Sequence, residues 1–82
     1  MATTVCGRIR SILVPPASDR PRLEVEVFDG TGLLTVVWLG RRRITGVAPG
    51  RTIIVHGRVT CPHGTEVMFN PRYELRPWSS SA

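Results

Sequence analysis

The apolar residues of this chain fall in short runs that alternate with polar ones, the period of a half-buried strand and not of a helix. The clearest is Leu23-Glu-Val-Glu-Val-Phe28, followed by Asp29-Gly-Thr-Gly32 and then Leu33-Leu-Thr-Val-Val-Trp-Leu39. Two β-rich runs around a short polar turn predict a hairpin. Asp29 and Gly30 tolerate the positive φ that such a turn demands, and Gly32 can take a second such position. With Asp29 to Gly32 as the loop, Phe28 pairs with Leu33 and Leu23 with Trp38. That register turns Leu23, Val25, Val27 and Trp38 toward a core, and Glu24, Glu26 and Phe28 outward.

Residues 5–14 read as a first strand, with Ile9 on one face and Arg8 and Arg10 on the other. Its alternation breaks at Ile12-Leu13-Val14, which predicts a bend or bulge, and Pro15 and Pro16 end it. A loop rich in turn formers runs to Arg22. Residues 40–47 allow one or two turns of helix, weakened by Gly46, before the turn Ala48-Pro49-Gly50. A fourth strand over 52–60 sets Ile53, Val55 and Val59 against His56 and Arg58. After the turn at 61–65, a fifth strand over 66–75 is interrupted at Asn70-Pro71. Gly7-Arg8-Ile9 is echoed by Gly57-Arg58-Val59, and mid-strand glycines in neighbouring strands suit sharp bends at barrel corners. The expected fold is all-β: a five-stranded Greek-key OB-fold barrel over residues 4–76, with a short helix between strands three and four. Residues 77–82 are expected to be a frayed tail.

The chain has 82 residues, 41% of them hydrophobic, which fits one small domain. All eleven basic residues are arginine, and against six carboxylates they give a formal net charge of +5. Such a surface attracts anions, of which nucleic acid is the commonest large one in a cell. Two cysteines are too few for a disulfide scaffold. The start Met-Ala-Thr-Thr-Val carries no secretory pattern, and no apolar run approaches the ~20 residues of a membrane span, so a cytoplasmic protein with reduced thiols is expected. Cys6, His56, Cys61 and His63 are metal-type side chains, but Cys61-x-His63 lacks the spacing of a finger or ribbon, so no metal or cofactor is expected. Cys6 and Cys61 lie on strands that would be antiparallel neighbours and could approach each other. The scattered carboxylates and histidines form no nucleophile–base pattern, so the chain is not expected to be an enzyme.

Leu23-Glu-Val-Glu-Val-Phe-Asp-Gly-Thr-Gly, Ala48-Pro-Gly-Arg-Thr and Met68-Phe-Asn-Pro-Arg-Tyr together resemble the OB-fold wedge domain of RecG-type branch-migration helicases. The segment Trp38-Leu-Gly-Arg-Arg-Arg-Ile44 is similar to small stand-alone OB-fold nucleic-acid-binding proteins of actinobacteria. The resemblance spans roughly residues 5–76 and implies nucleic-acid binding. The helicase motor is absent: the chain has no Gly-x-x-x-x-Gly-Lys-Ser/Thr loop and no lysine to build one.

The expected ligand is single-stranded or branched nucleic acid, DNA ahead of RNA. Arg41, Arg42 and Arg43, where strand three meets the expected helix start, are placed to grip phosphates. Arg8, Arg10 and Arg58 form a possible second strip across strands one and four, with Arg72 beside Tyr73. Of the aromatic residues Phe28, Trp38, Phe69, Tyr73 and Trp78, the register makes Phe28 the outward stacking platform and leaves Tyr73 open to either role. Glu24 and Glu26 oppose phosphate on the hairpin's outer face. The rival expectation is a protein-interaction adaptor that uses Phe28, Leu33 and Val37 beside these glutamates.

Overall fold

The computed structural model describes residues 2–16 and 20–77. Trp78 and most of the expected tail therefore lie outside the described residues. The elements are β1 (Ala2–Leu13), β2 (Arg22–Phe28), β3 (Leu33–Leu39), β4 (Thr52–Thr60), β5 (Val67–Phe69) and β6 (Arg72–Leu75), with a single 3₁₀ turn at Pro62–Gly64. They form one sheet in the order β1-β2-β3-β5-β4-β6, and β1 also pairs with β4, which makes a ring of five strands. Every pairing is antiparallel except β3 with β5. β5 and β6 are the two parts of the expected fifth strand, separated at Asn70-Pro71, where Asn70 has φ 48°. Asn70 spans the break by donating its N–H to the Val37 carbonyl at 2.7 Å and accepting from Leu39 N at 2.8 Å through its side chain.

The hairpin has the register read from its sequence: Phe28 faces Leu33 and Leu23 faces Trp38. Its turn is held by Asp29, whose carboxylate accepts from Thr31 N, Thr31 Oγ1 and Gly32 N at 2.8 to 2.9 Å. Gly30 takes a positive φ of 98°, whereas Gly32 does not take the second one expected.

β1 serves two partners. Its residues 2–8 pair with β4 and its residues 8–13 with β2. Gly7 stands at the crossing, where a Cβ would lie 2.6 Å from the Phe28 carbonyl oxygen and 2.6 Å from Val27 Cγ1. A side chain there would hold the two strands apart. The bulge expected near Ile12 lies earlier: Ile9 faces Val27 and Ser11 faces Glu26, so Arg10 is the extra residue.

The expected helix between strands three and four is absent. Residues 40–51 form successive tight turns, closed by Val47 N to the Ile44 carbonyl and Arg51 N to the Ala48 carbonyl. Gly46, at φ 87°, lies inside the first of these turns and ends any helical run. This segment returns to the sheet through paired backbone bonds of 2.8 Å, Gly50 N to Ile9 O and Ile9 N to Arg51 O. It also sends Ile44 into the core.

Inside the ring, Ile9, Val25, Val27, Val36, Ile53, Val55 and Met68 are fully buried, one or two from each of β1 to β5. Each such side chain stabilises the fold by about 1.5–3 kcal/mol relative to exposure. Trp38 closes one end of this core, 5% exposed, with its indole N–H donating to the Pro71 carbonyl at 3.3 Å. No helix is long and apolar enough to cross a membrane among the described residues.

Candidate nucleic-acid interface

Alternation carries the even-numbered residues of β4 and of the first half of β1 to the outer face. Cross-strand pairing then sorts the expected site residues into three separate groups. The first lies at the β1–β2 crossing. Arg8 sits directly across from Phe28, and the bulge adds Arg10 beside it, so Arg8, Ile9, Arg10 and Phe28 line one shallow groove. Phe28 is 44% exposed, and both arginines are exposed. Alternation already turns Arg10 to the side of Arg8, and as the extra residue of the bulge it lines the same groove as the aromatic ring. An aromatic face with flanking cations can stack a base while it neutralises adjacent phosphates.

The second group is the arginine triplet. Arg41 to Arg43 follow Leu39, which faces Arg22, so they lie at the far end of the hairpin from Phe28, about 20 Å away at strand rise. The absence of a helix removes the backbone N–H cluster expected there. The three arginines also differ from one another. Arg42 is half-buried and donates from Nη1 to the carbonyls of Pro15 and Pro16, at 3.3 and 3.5 Å. It fastens segment 40–51 to the loop after β1. Arg41 and Arg43 are exposed. Arg43 rims a cleft of about 650 Å³ whose floor includes Ile12, Val14, Leu23 and Val47.

The third group occupies β4 and β6. His56 faces Thr4 on one side and Arg72 on the other, and Arg58 lies two residues along β4. Arg58 faces Ala2 while Arg8 faces Thr52, so the structure separates Arg58 from Arg8 by the length of the β1–β4 ladder. The expected continuous strip of Arg8, Arg10 and Arg58 therefore does not form. Tyr73 does not share Arg72's face. It pairs with Val55, a core residue, and packs edge-on against Trp38 with ring centroids 5.5 Å apart. This contact gives it a structural role, although it remains 41% exposed. His56, read from the sequence as a metal-type side chain on the face of Arg58, has partners that come from residues far away in the chain.

The outer face of β2, β3 and β5 has a different character. One row runs Leu13–Glu24–Val37–Phe69 and the next Ser11–Glu26–Thr35–Val67. Glu24 pairs with Arg22 at 2.7 Å, and Glu26 accepts from Ser11 at 2.8 Å. Val37 is only 6% exposed, so it offers a partner almost no surface; Leu13, Leu39 and Phe69 provide the accessible apolar area instead. Asp29 beside Phe28 has a pKa held below the usual carboxylate range, first by the backbone N–H of Thr31 and then by that of Gly32.

Cys6 faces Ile54 on the ladder, whereas Cys61 follows the end of β4; both are free thiols and the possible approach between them does not occur. Among the described residues no three His, Cys, Asp or Glu side chains cluster in a way that could hold a metal ion. Neither a scan against models of known protein families nor a search of curated proteins finds a match to this chain.

Proposed function

We propose that this chain is a non-catalytic OB-type domain that binds single-stranded or branched nucleic acid, DNA ahead of RNA, in the cytoplasm. The ring order β1-β2-β3-β5-β4, returning to β1, with its one parallel contact, supports reading the sheet as a partly open Greek-key barrel of that type. The motifs that resemble RecG-type wedge domains and small actinobacterial OB-fold proteins point the same way. The observation that carries the reading is the exposed Phe28 ring flanked by Arg8 and by the bulge residue Arg10. Arg41, Arg43, Arg58 and Arg72 add phosphate contacts at either side, and Arg42 contributes chiefly by holding its loop in place.

Fluorescence anisotropy of a labelled oligo-dT, titrated with the protein at low and moderate salt, tests this directly. Binding should weaken linearly on a log–log plot against salt, with a slope of about −0.7 for each phosphate neutralised. Absence of binding at low salt would sink the proposal.

A second reading rests on the other face. Leu13, Leu39 and Phe69 are each about half exposed beside Glu24, which suits a protein partner better than a phosphate backbone. Charge reversal at Glu24 and Glu26 would then abolish capture of that partner and leave oligonucleotide affinity little changed.

A further inference from the structure

We propose that Thr4, His56 and Arg72 form a phosphate-binding site on the outer face of β1, β4 and β6, tightened by proton uptake at His56. These residues are brought together by pairing alone. Thr4 and His56 are 52 positions apart in the chain yet directly opposed on the β1–β4 ladder, and Arg72 opposes His56 from β6. The groove beside them is lined by Ile54, His56, Arg72, Tyr73 and Glu74.

The Thr4 hydroxyl is hydrogen-bonded to His56 Nδ1. A hydroxyl can donate to a neutral imidazole and accept from an imidazolium, so this bond survives either protonation state. It holds the ring through Nδ1, and no described residue is hydrogen-bonded to Nε2. Nε2 is thus left to serve an outside acceptor, with the Arg72 guanidinium one strand away to supply further donors. A phosphate oxygen accepts from both and meets positive charge from both.

Charged and titratable groups face His56 from each neighbouring strand. Arg72 lies across from it on β6 and Arg58 two residues along β4. Glu74 lies diagonal to it on β6, while β1 presents only Thr4 and the Cys6 thiol. An imidazolium holds a phosphate more strongly than a neutral imidazole does, so binding and protonation favour each other and affinity rises as pH falls. The same outer face continues along β1 from Thr4 through Cys6 to Arg8, about 13 Å at strand rise, and so to the Phe28 groove. As a contact for a nucleic-acid phosphodiester the site rests on the function proposed above; as a site for phosphate it stands on its own geometry.

Two measurements separate these sources. In the first, the imidazole resonances are followed by NMR during titration with inorganic pyrophosphate at pH 6, where the second histidine, His63 in the 3₁₀ turn, is the internal control. A saturable shift at His56 with His63 unmoved is expected; no shift, or equal shifts at both, overturns the site. In the second, oligo-dT affinity is measured between pH 6 and pH 8 at constant ionic strength for wild type, H56Q and H63Q. Wild type and H63Q should lose about threefold to tenfold in affinity across this range, and H56Q should be nearly flat. H56Q that follows the wild-type slope overturns the coupling. If wild type binds no oligo-dT at any pH, the nucleic-acid reading fails, and a saturable pyrophosphate shift at His56 would still uphold the phosphate site.

Discussion

The outer surface of the ring has two halves that share one backbone plan and differ in what alternation turns outward. On β4, β6 and the first half of β1 the outward residues include Arg8, Arg58, Arg72, His56 and Thr4, and Glu74 is the one carboxylate among the described residues there. On β2, β3 and β5 they include Glu24, Glu26, Leu39 and Phe69. The first half is net basic, while on the second Glu24 is paired with Arg22 and Glu26 is left as the excess charge. One half can follow a phosphate backbone, while the other would repel it and expose apolar area at the same time. The seam between them is the Arg8–Phe28 pair, where β1 passes from β4 to β2. An aromatic platform on such a seam can be reached from the basic side without crossing the glutamates.

The largest expected effects break that seam. F28A should weaken oligo-dT binding by about tenfold or more, since stacking contributes roughly 1–3 kcal/mol per base. R8A/R10A should reduce the salt slope by about 1.4, two phosphates at about 0.7 each on a single strand. E24Q/E26Q should shift affinity by less than about twofold, because screening weakens charges that the ligand does not touch. If neutralising the glutamates changed affinity as much as F28A does, the ligand would lie on the β2–β3 half and the comparison would invert.

Next in size is the crossing itself. G7A places a Cβ 2.6 Å from a backbone oxygen that cannot move without shifting β2. Overpacking of this kind costs about 1–3 kcal/mol, or a Tm lower by very roughly 5–20 °C in a domain of this size. At Gly57, by contrast, the nearest atoms are the flexible Met68 side chain at 3.2 Å, so G57A should cost less. Thermal melts of the two variants check the order. A milder G7A would mean that the two halves are not held together where β1 changes partners.

The difference between these glycines marks what could be read from the chain. The hairpin register was legible because a period of two and a four-residue loop leave a single pairing that buries Leu23, Val25 and Val27. The break at Asn70-Pro71 was legible because proline cannot donate to a ladder. The Thr4–His56–Arg72 row was not, since nothing local records which residue of β4 will oppose Thr4. The arginine triplet was visible as charge, yet the use of Arg42 depends on a contact between two loops. The helix failed for a local reason that was present in the chain, Gly46, whose positive φ outweighed the weak helical pattern around it. Val37 was correctly placed on the outer face by alternation, but its burial depends on its neighbours across three strands.

Arg42 gives a smaller effect that separates structure from binding within one run of charge. R42A removes bonds to two proline carbonyls and should destabilise the domain by about 1 kcal/mol, the discount reflecting its partial exposure. R41A/R43A should leave the melting temperature nearly unchanged and lower the salt slope. Melting curves and salt titrations on both variants resolve the two roles. If R42A melts like wild type and R41A/R43A does not, the strut has been assigned to the wrong arginine.

The smallest expected effect concerns the turn next to Phe28. Backbone and hydroxyl donors from Thr31 and Gly32 favour the ionised form of Asp29 and lower its pKa in the folded state. A carboxyl whose folded pKa is depressed contributes stability above its unfolded titration range and loses it as pH falls through the folded value. Wild type should therefore lose stability on acidification below about pH 4, and part of that loss should be missing in D29N, which has no carboxylate to titrate. Since the turn is solvent-exposed, the difference is expected only as a small change in the acid-side slope of Tm against pH. Identical slopes would show that Asp29 contributes no charge-dependent stability. The position of Phe28 at the seam would then rest on the β2–β3 register alone.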